Sequence, residues 1–319
     1  MVSHVGTYEQ LRWQPAVRDG VPRAYRQGGL YQAYVPDRLG QLPLVLDERT
    51  IDLVALATAA LGAADRAVGD VDLDSFAALA LRSEAAASSV IEGVRASAEN
   101  VALAGFTGHG SLAAKEIARN ARIMHLATRS MVQAERVTLA DVEHLQAQLV
   151  PLLPGLRQEQ VWIGGANPMT ARFVPPKHEL VRPLMNDLLE YLNDPSDTAI
   201  VAAAAIHAQF ETIHPFRDGN GRVGRALTHT LLSRAYPVST VIPFSRVFAA
   251  RKNAYIDGLT AWRVVEGVDE RAQWVAAFAE AVIEAAGLAQ QMGHDLVRVQ
   301  NTYRDALLEE RRLGGRRAA

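Results

Sequence analysis

One stretch of this chain, residues 214–225, decides its fold, and it reads His214-Pro215-Phe216-Arg217-Asp218-Gly219-Asn220-Gly221-Arg222-Val223-Gly224-Arg225. Apolar runs with helical character lie before and after it, so the stretch predicts a tight turn between two helices. The first N–H groups of a helix lack internal partners, and the helix dipole favours negative charge at that end. Gly219, Asn220 and Gly221 therefore predict a backbone cradle for an anion where the second helix begins.

Charged side chains surround this predicted anion cradle. Arg222 and Arg225 lie three residues apart on one helix face, so both can hold the same polyanion. Asp218 offers the hard oxygen ligand that Mg²⁺ prefers when the ion also bridges phosphates. His214 can accept a proton at neutral pH. A base, a metal-binding carboxylate, an anion cradle and two arginines together indicate phosphate-transfer chemistry.

Each of these residues also has an ordinary structural interpretation. A lone histidine at a helix end is usually a satisfied polar residue, and Asp-Gly-Asn-Gly is a common turn. The joint pattern is more specific, because it resembles the Fic family signature His-x-Phe-x-(Asp/Glu)-Gly-Asn-Gly-Arg-x-x-Arg at every defined position. The resemblance implies an all-α fold, a Fic-type helical bundle with one β-hairpin flap. It also implies a protein adenylyltransferase, which moves AMP from ATP to a hydroxyl side chain of a target protein or of itself.

The resemblance assigns a role to each residue of the motif. His214 is the base that activates the hydroxyl, and Asp218 holds Mg²⁺. The nucleotide is bound by the turn and the two arginines: Gly219, Asn220, Gly221, Arg222 and Arg225. Within this set, Arg225 holds the γ-phosphate of ATP.

Further side chains receive positions from the same resemblance. Phe216 is expected to be a buried anchor for the turn. Asn253 and Tyr255 are placed at the adenine pocket. The motif assigns nothing to His207 and His229 on the flanking helices, so both are expected to be structural.

A second motif lies at the end of a predicted helix that Asp74 caps and Gly93 terminates. Glu92 meets the negative end of the helix dipole there, so a nearby cation would stabilise it. With Ser88 it forms Ser-x-x-x-Glu-Gly, which resembles the inhibitory motif of many Fic proteins. The resemblance implies that Glu92 pairs with Arg225 and inhibits the enzyme. An exposed glutamate without a partner is the alternative.

The region Gly155–Pro176 predicts strands instead of helix. Two short β-favouring runs lie on either side of a Gly-Gly turn, which indicates a hairpin. It resembles the Fic flap, whose edge takes up a target segment by strand addition beside the catalytic histidine. The residues expected to dock the target are Val161, Trp162, Ile163, Arg172, Phe173 and Val174. A hairpin with a structural role alone is the alternative.

Composition argues against several other functions. The chain has 319 residues, 49% of them hydrophobic, and a net charge of −2, which is typical of a globular protein and not of a nucleic-acid binder. The absence of cysteine excludes disulfides and thiolate zinc sites. There is neither a signal-like N-terminus nor an uncharged run long enough to cross a bilayer, so a cytoplasmic protein without membrane contact is expected. The chain has no Gly-Lys-Ser/Thr, which disfavours a P-loop nucleotidase.

Three segments are expected along the chain. Residues 1–110 form an N-terminal arm and helices, including the inhibitory helix at about 74–92. Residues 111–265 form the catalytic core with the flap at 157–176, and residues 266–319 form a C-terminal helical extension.

Within these segments, residues 1–46 are expected to be irregular. A helix from about Asp47 is expected to stop near Gly62, and residues 105–110 to form a loop. Another helix is expected over 245–265, followed by a long one from about residue 269 with a break near Gly287 or Gly293. Thr138 predicts a helix cap, because Asp141 follows three residues later.

Alternatives to this function stay open. A catalytically silent or regulatory nucleotide-binding module would keep the fold but lose the base or the arginines, and both are present. A Doc-type kinase would depart at Asp218-Gly219 and at the last arginine. De-AMPylation, or transfer of UMP or phosphocholine, is a further alternative. The expected partners are an unidentified target protein at the flap and, as an open alternative, a second copy of the chain.

Overall fold

The structure of the protein is a computed structural model that describes residues 6–15, 27–42, 44–67, 73–236, 241–264 and 268–317. Over these residues the chain forms two strands, β1 (Thr7–Trp13) and β2 (Gly29–Val35), a short 3-10 helix (Leu39–Gln41) and eleven α-helices. The first six helices are α1 (Glu48–Ala67), α2 (Leu73–Ile91), α3 (Ala98–Thr107), α4 (Leu112–Gln133), α5 (Leu139–Leu149) and α6 (His178–Asn193). The other five are α7 (Ala199–Ile213), α8 (Asn220–Ala235), α9 (Phe244–Ala250), α10 (Lys252–Ala261) and α11 (Val268–Arg317). The expected all-α bundle is confirmed.

The central element of the bundle is α7, which is buried on every side from Ile200 to Ile213. A run of alanines lets neighbouring helices approach it closely, and α1, α6, α8, α10 and α11 all contact it. Trp274 on α11 anchors this packing by donating a hydrogen bond from its indole nitrogen to the Ala204 carbonyl, 2.8 Å away. Because α7 is held from all sides, the turn at its C-terminus starts from a fixed position.

The N-terminal segment is not the irregular arm that the sequence suggested. β1 and β2 form an antiparallel pair in which Tyr8 lies opposite Tyr34. The aromatic rings of this pair meet edge to face with centroids 5.4 Å apart, a favourable cross-strand contact. The Tyr34 N–H donates to the Val174 carbonyl at 2.9 Å, so this hairpin is supported by the region 155–176, as a two-stranded hairpin needs a partner for stability.

Among the residues that the structure describes, glycine ends a helix only where its backbone is left-handed. Gly93, with φ of 83°, follows α2 as predicted. The predicted stop at Gly62 is wrong, because α1 continues to Ala67. The predicted loop at 105–110 is also wrong in part, since Gly105 lies inside α3. The long C-terminal helix has no break at Gly287 or Gly293.

Other helix ends agree better with the sequence. The Thr138 side chain accepts from the Asp141 N–H while Asp141 accepts from the Thr138 N–H, so the predicted capping box is confirmed. The expected helix over 245–265 is two helices, α9 and α10, which meet at Arg251. α2 begins at Leu73, one residue before the predicted cap Asp74, whose side chain lies outside the described part of the structure.

One helix is apolar enough to be compared with a membrane span. The segment Glu270–Ala306 of α11 contains a window whose length and composition would allow it to cross a bilayer, but 56% of that window is buried inside the protein. Core helices of globular proteins meet the same criteria, and burial of this extent is typical of them.

Candidate active site

His214 ends α7 in a left-handed conformation, with φ of 48° and ψ of 61°. In the described part of the chain it is the only residue other than glycine with a positive φ. Such a backbone costs on the order of 1 kcal/mol and persists only where the surroundings impose it. The His214 N–H donates to the Phe210 carbonyl at 2.9 Å, which closes the last turn of the helix.

Arg157 holds this conformation in place, although no sequence pattern pointed to it. Its buried guanidinium donates from Nε to the His214 carbonyl at 2.9 Å and from a terminal nitrogen to the Ile213 carbonyl at 3.3 Å. The same nitrogen donates to the Pro176 carbonyl at the end of the flap. The Arg157 N–H donates to the Pro215 carbonyl at 2.9 Å. Arg157 therefore ties the turn at His214 to the base of the flap.

The His214 imidazole is neutral at physiological pH. Burial, together with the nearby cations Arg263 and Arg157, lowers the pKa of His214 to about 4. Its Nδ1 lies 4.0 Å from the Glu211 carboxylate and has no hydrogen-bond partner. A neutral imidazole has a lone pair free to accept a proton, which is the state a general base needs.

The turn after His214 is fastened by its own side chains. Phe216 is fully buried, as expected of an anchor. The Asn220 amide accepts from the Phe216 N–H and donates to the Phe216 carbonyl, both at 2.9 Å. Gly219, with φ of 87°, precedes the first residue of α8. The helix N-terminus therefore opens directly into a cavity lined by Gly219, Asn220 and Gly221.

Asp218 lies at the rim of the same cavity. Its side chain is 54% exposed, and one oxygen accepts from the Gly219 N–H at 2.6 Å. No group of three or more metal-binding side chains occurs among the described residues. A single carboxylate fits Mg²⁺ when phosphate oxygens and water complete the coordination, and does not fit a metal held by protein alone.

The two motif arginines point to different partners, although their spacing suggested a joint site. Arg222 lies in the cavity wall and forms ion pairs with Glu116 on α4 and, at 3.4 Å, with Asp218. Arg225 is fully buried and does not line the cavity. Glu116 was not identified as a site residue from the sequence, because it lies 106 residues from its partner Arg222.

Arg225 is held by the C-terminal end of α2. Its Nε donates to Ser88 Oγ at 2.8 Å, and one terminal nitrogen donates to the Ser88 carbonyl at 3.0 Å and to Glu92 Oε1 at 2.8 Å. The other terminal nitrogen lies 3.4 Å from the Tyr255 hydroxyl. Burial alone would raise the pKa of Glu92, but the charge and hydrogen bond of Arg225 outweigh it and lower this pKa. Glu92 is therefore ionised at neutral pH.

The Glu92 carboxylate also covers the start of α8. A Cβ added to Gly221 would lie 2.1 Å from Glu92 Oε1, so the carboxylate is packed directly against the backbone of the first helical turn. This is the position where the helix dipole favours an anion. Glu92 lines the cavity, whereas Arg225 lies behind it.

The flap is shorter than the sequence suggested. A single bridge joins Ile163 to Phe173, with a hydrogen bond of 2.8 Å from the Ile163 N–H to the Phe173 carbonyl. The left-handed Gly164 and Gly165 turn the chain immediately after Ile163, which leaves little length for pairing. Of the six residues expected to dock a target, Ile163, Arg172 and Phe173 line the cavity and the other three, Val161, Trp162 and Val174, do not.

Of the two residues that were placed at the adenine pocket, one lines the cavity. Tyr255 lines the cavity, and its hydroxyl lies 2.9 Å from His207 Nε2. Asn253 is exposed and does not line it, because it lies on the outer face of α10. His207 and His229 are both buried, as expected of structural residues, and His229 contacts Glu84 at 3.0 Å.

The cavity has a volume of about 770 Å³. It brings the neutral His214, the start of α8, Asp218 and Arg222 together with the flap residues Ile163 and Phe173. A proton acceptor and an anion cradle thus share one space, which is what transfer of a phosphorus group to a hydroxyl requires.

Comparisons with known proteins agree with this geometry. The Fic/DOC family pattern matches residues 136–232. "Protein adenylyltransferase Fic" of Drosophila virilis is 34% identical over 122 residues, which are 36% of this chain and 24% of that protein. The chain thus matches about a quarter of the length of this curated relative.

Solved structures show the same fold over a larger part of the chain. A Fic family protein from Desulfovibrio desulfuricans G20 superposes with a TM-score of 0.63 and 24% identity, over 79% of this chain and 77% of that one. A Fic domain containing signaling protein from Bacteroides thetaiotaomicron superposes with a TM-score of 0.61 and 17% identity, over 74% of this chain and 96% of that one. The chain therefore carries a domain of the Fic/DOC family, and its helical bundle has the fold of Fic proteins.

Proposed function

We propose that the protein is an adenylyltransferase that moves AMP from ATP to a hydroxyl side chain of a protein. The observation that carries this proposal is the neutral His214 imidazole in the same cavity as the N-terminus of α8. Relatives named protein adenylyltransferase support it with 34% identity over 122 residues, and the Fic/DOC family pattern covers residues 136–232, which include the motif.

In this reaction the acceptor hydroxyl attacks the α-phosphorus of ATP. The bond from that phosphorus to the oxygen shared with the β-phosphate breaks, and pyrophosphate leaves. His214 takes the hydroxyl proton, which a neutral imidazole can accept and an imidazolium cannot. The N–H groups at the start of α8 and the Arg222 guanidinium stabilise the negative charge on the phosphates. Asp218 would hold Mg²⁺ together with phosphate oxygens, and the ion would supply further charge neutralisation.

The proposal includes inhibition by Glu92. The γ-phosphate of ATP needs a cation, and Arg225 is the motif arginine expected to supply it. In the structure Arg225 already donates to Glu92, and the Glu92 carboxylate lies against Gly221 at the start of α8. A phosphate at this position would meet a carboxylate instead of a free arginine. ATP bound in this way is unproductive, so transfer is slow until Glu92 moves.

Target docking belongs to the proposal as well. Ile163 directs both its N–H and its carbonyl to the second arm of the flap. Neighbouring residues in a strand point their backbone groups to opposite sides, so the N–H of Trp162 points away from the flap and can pair with a target segment.

A test of the activity uses ATP labelled at the α-phosphate, with Mg²⁺ and a cell extract as the source of acceptors. We expect protein-bound label with the Glu92→Gly variant and none with Glu92→Gly/His214→Ala. ATP affinity, measured by calorimetry, should be nearly equal in the two variants, because His214 acts on the acceptor and not on the phosphates. Label transfer that survives the loss of His214 would refute the assigned mechanism. No transfer by Glu92→Gly, although it binds ATP, would refute the activity.

A further inference from the structure

The N-terminal hairpin brings a tyrosine hydroxyl to the catalytic cavity. Tyr8 on β1 lines the same cavity as His214, and its side chain is 53% exposed. Two other hydroxyl residues line this cavity. Tyr255 is buried with its hydroxyl against His207, and Thr260 donates its hydroxyl to the Ile256 carbonyl. Thr260 is exposed as well, but its hydroxyl is engaged within α10 and that of Tyr255 is engaged with His207, so Tyr8 is the strongest candidate acceptor of the three.

The hairpin lies beside the flap in the manner of an added strand. The Tyr34 N–H donates to the Val174 carbonyl, so β2 continues the hydrogen bonding of the second flap arm. Because that N–H points to the flap, the opposed pair of Tyr34 and Tyr8 is not bonded across the hairpin, and such pairs bring their side chains closest. An ion pair of 2.7 Å between Lys177 and Glu9 fixes the neighbouring position of β1.

A chain of contacts leads from Tyr8 to the base. The Tyr34 ring that Tyr8 packs on lies 6.2 Å from the Phe173 ring of the flap. The Arg263 guanidinium lies 3.7 Å from the centre of the Phe173 ring and lines the same cavity as Tyr8. Arg263 also stands beside His214, whose pKa its charge lowers. The phenol thus approaches the cavity on the side of the flap and of His214, which is the side a target hydroxyl must use.

We propose that Tyr8 is an acceptor of AMP, so that the protein modifies its own N-terminal hairpin within one molecule. The inference rests on the adenylyltransferase function proposed above. The Tyr8 phenol oxygen bonds to the α-phosphorus of ATP, the bond to the oxygen shared with the β-phosphate breaks, and pyrophosphate leaves. The phenol proton goes to His214. The product is an O-adenylyl tyrosine in the full-length chain.

The experiment incubates the purified Glu92→Gly protein with ATP and Mg²⁺, and then maps the adenylyl group by peptide mass spectrometry. Two further variants, both in the Glu92→Gly background, test whether the Tyr8 hydroxyl is the acceptor. Tyr8→Phe keeps the ring on Tyr34 but lacks the hydroxyl. Tyr31→Phe is the matched control, because it removes a phenol from the same hairpin that does not line the cavity.

We expect one adenylyl mass on the peptide that contains Tyr8, at a rate per molecule that does not depend on protein concentration. Tyr8→Phe should lose at least nine-tenths of this self-modification and still transfer AMP to proteins of a cell extract, while Tyr31→Phe should match its parent. Self-modification at another residue, or transfer to the extract with none to the chain itself, would overturn the assignment of Tyr8 and leave the proposed activity standing. A rate that rises with protein concentration would overturn transfer within one molecule. Failure of every acceptor would overturn both proposals.

Discussion

Replacing Glu92 with glycine should release Arg225 without unfolding the site. After the change, Arg225 still donates to Ser88 Oγ and to the Ser88 carbonyl, and it stays near the Tyr255 hydroxyl. Its position is therefore kept, while the nitrogen that faced Glu92 becomes available to the γ-phosphate of ATP. The change also removes the carboxylate that lies against Gly221.

The size of the effect follows from the contact that is lost. A hydrogen bond to a charged group contributes about 1.5–3 kcal/mol. The Glu92 side chain is 36% exposed, and solvent weakens such a pair. We therefore expect the free energy of unfolding to fall by about 1–2 kcal/mol. In the variant, productive binding of ATP no longer has to break this contact, and the free energy saved corresponds to about a tenfold gain in productive binding. Removing the carboxylate's repulsion of phosphate adds to it, so transfer should rise about ten- to a hundredfold.

The assay measures protein-bound label from ATP labelled at the α-phosphate, beside urea unfolding of the same samples. Glu92→Gln is the matched control, because it keeps the volume over Gly221 and removes only the charge, and it should rise less than Glu92→Gly. Adding Arg225→Ala to Glu92→Gly should return transfer to the low level. A Glu92→Gly protein that is folded, binds ATP and transfers AMP no faster than the wild type would refute this account.

Three further predictions concern other parts of the molecule. Trp162→Pro removes an N–H that points away from the flap, so labelled transfer to target proteins should fall at least tenfold while ATP affinity stays unchanged. Trp162→Ala keeps the N–H and should lose less transfer. Equal loss of transfer and of ATP affinity would give the flap a structural role alone. Burial raises the pKa of Glu211 to about 7 from 4.5, so between these pH values the native state binds more protons and the contribution of Glu211 to stability falls as pH rises. In urea unfolding, the free energy of unfolding of Glu211→Gln should therefore gain up to about 3 kcal/mol on that of the wild type over this pH range. A difference that stays constant with pH would contradict the shift. Thr138→Ala removes a helix cap remote from the cavity, so it should lower the free energy of unfolding by about 1 kcal/mol and leave transfer unchanged.

The parts of the site that the sequence predicted are those whose physics is local. The turn after His214 is held by Asn220 and Phe216, which are four residues apart, and the Thr138 cap needs only Asp141. In each case the partner lies within one helical turn along the chain, so the residue types and their spacing contain the whole interaction.

The parts that escaped prediction depend on partners distant in sequence. Arg157 reaches the His214 carbonyl across 57 residues, and no neighbouring residue shows that it will be buried among carbonyls. The N-terminal hairpin is anchored by Val174, far along the chain, so its own composition looked irregular. The flap, in contrast, was predicted to be longer than it is. Its residues favour strands, but the turn at Gly164 and Gly165 leaves room for one bridge.

The contact between Glu92 and Arg225 is the open end of a longer row of polar contacts between α2 and α8. Positions four residues apart on α2 meet positions four residues apart on α8 in antiparallel order: Glu84 with His229, Ser88 with Arg225, and Glu92 with Gly221. At the deep end Glu84 is fully buried and also accepts from the Ser245 N–H of α9 at 3.0 Å, so breaking that end leaves an uncompensated buried group. At the other end Glu92 follows the last helical residue, Ile91, and is partly exposed in the cavity. Glu92 can therefore be displaced by a change in the turn after α2 and in one side chain. Displacing α2 would also break the buried contacts of Glu84 and Ser88 with α8. We infer that relief of the proposed inhibition acts on Glu92 from the cavity, with α2 staying in place.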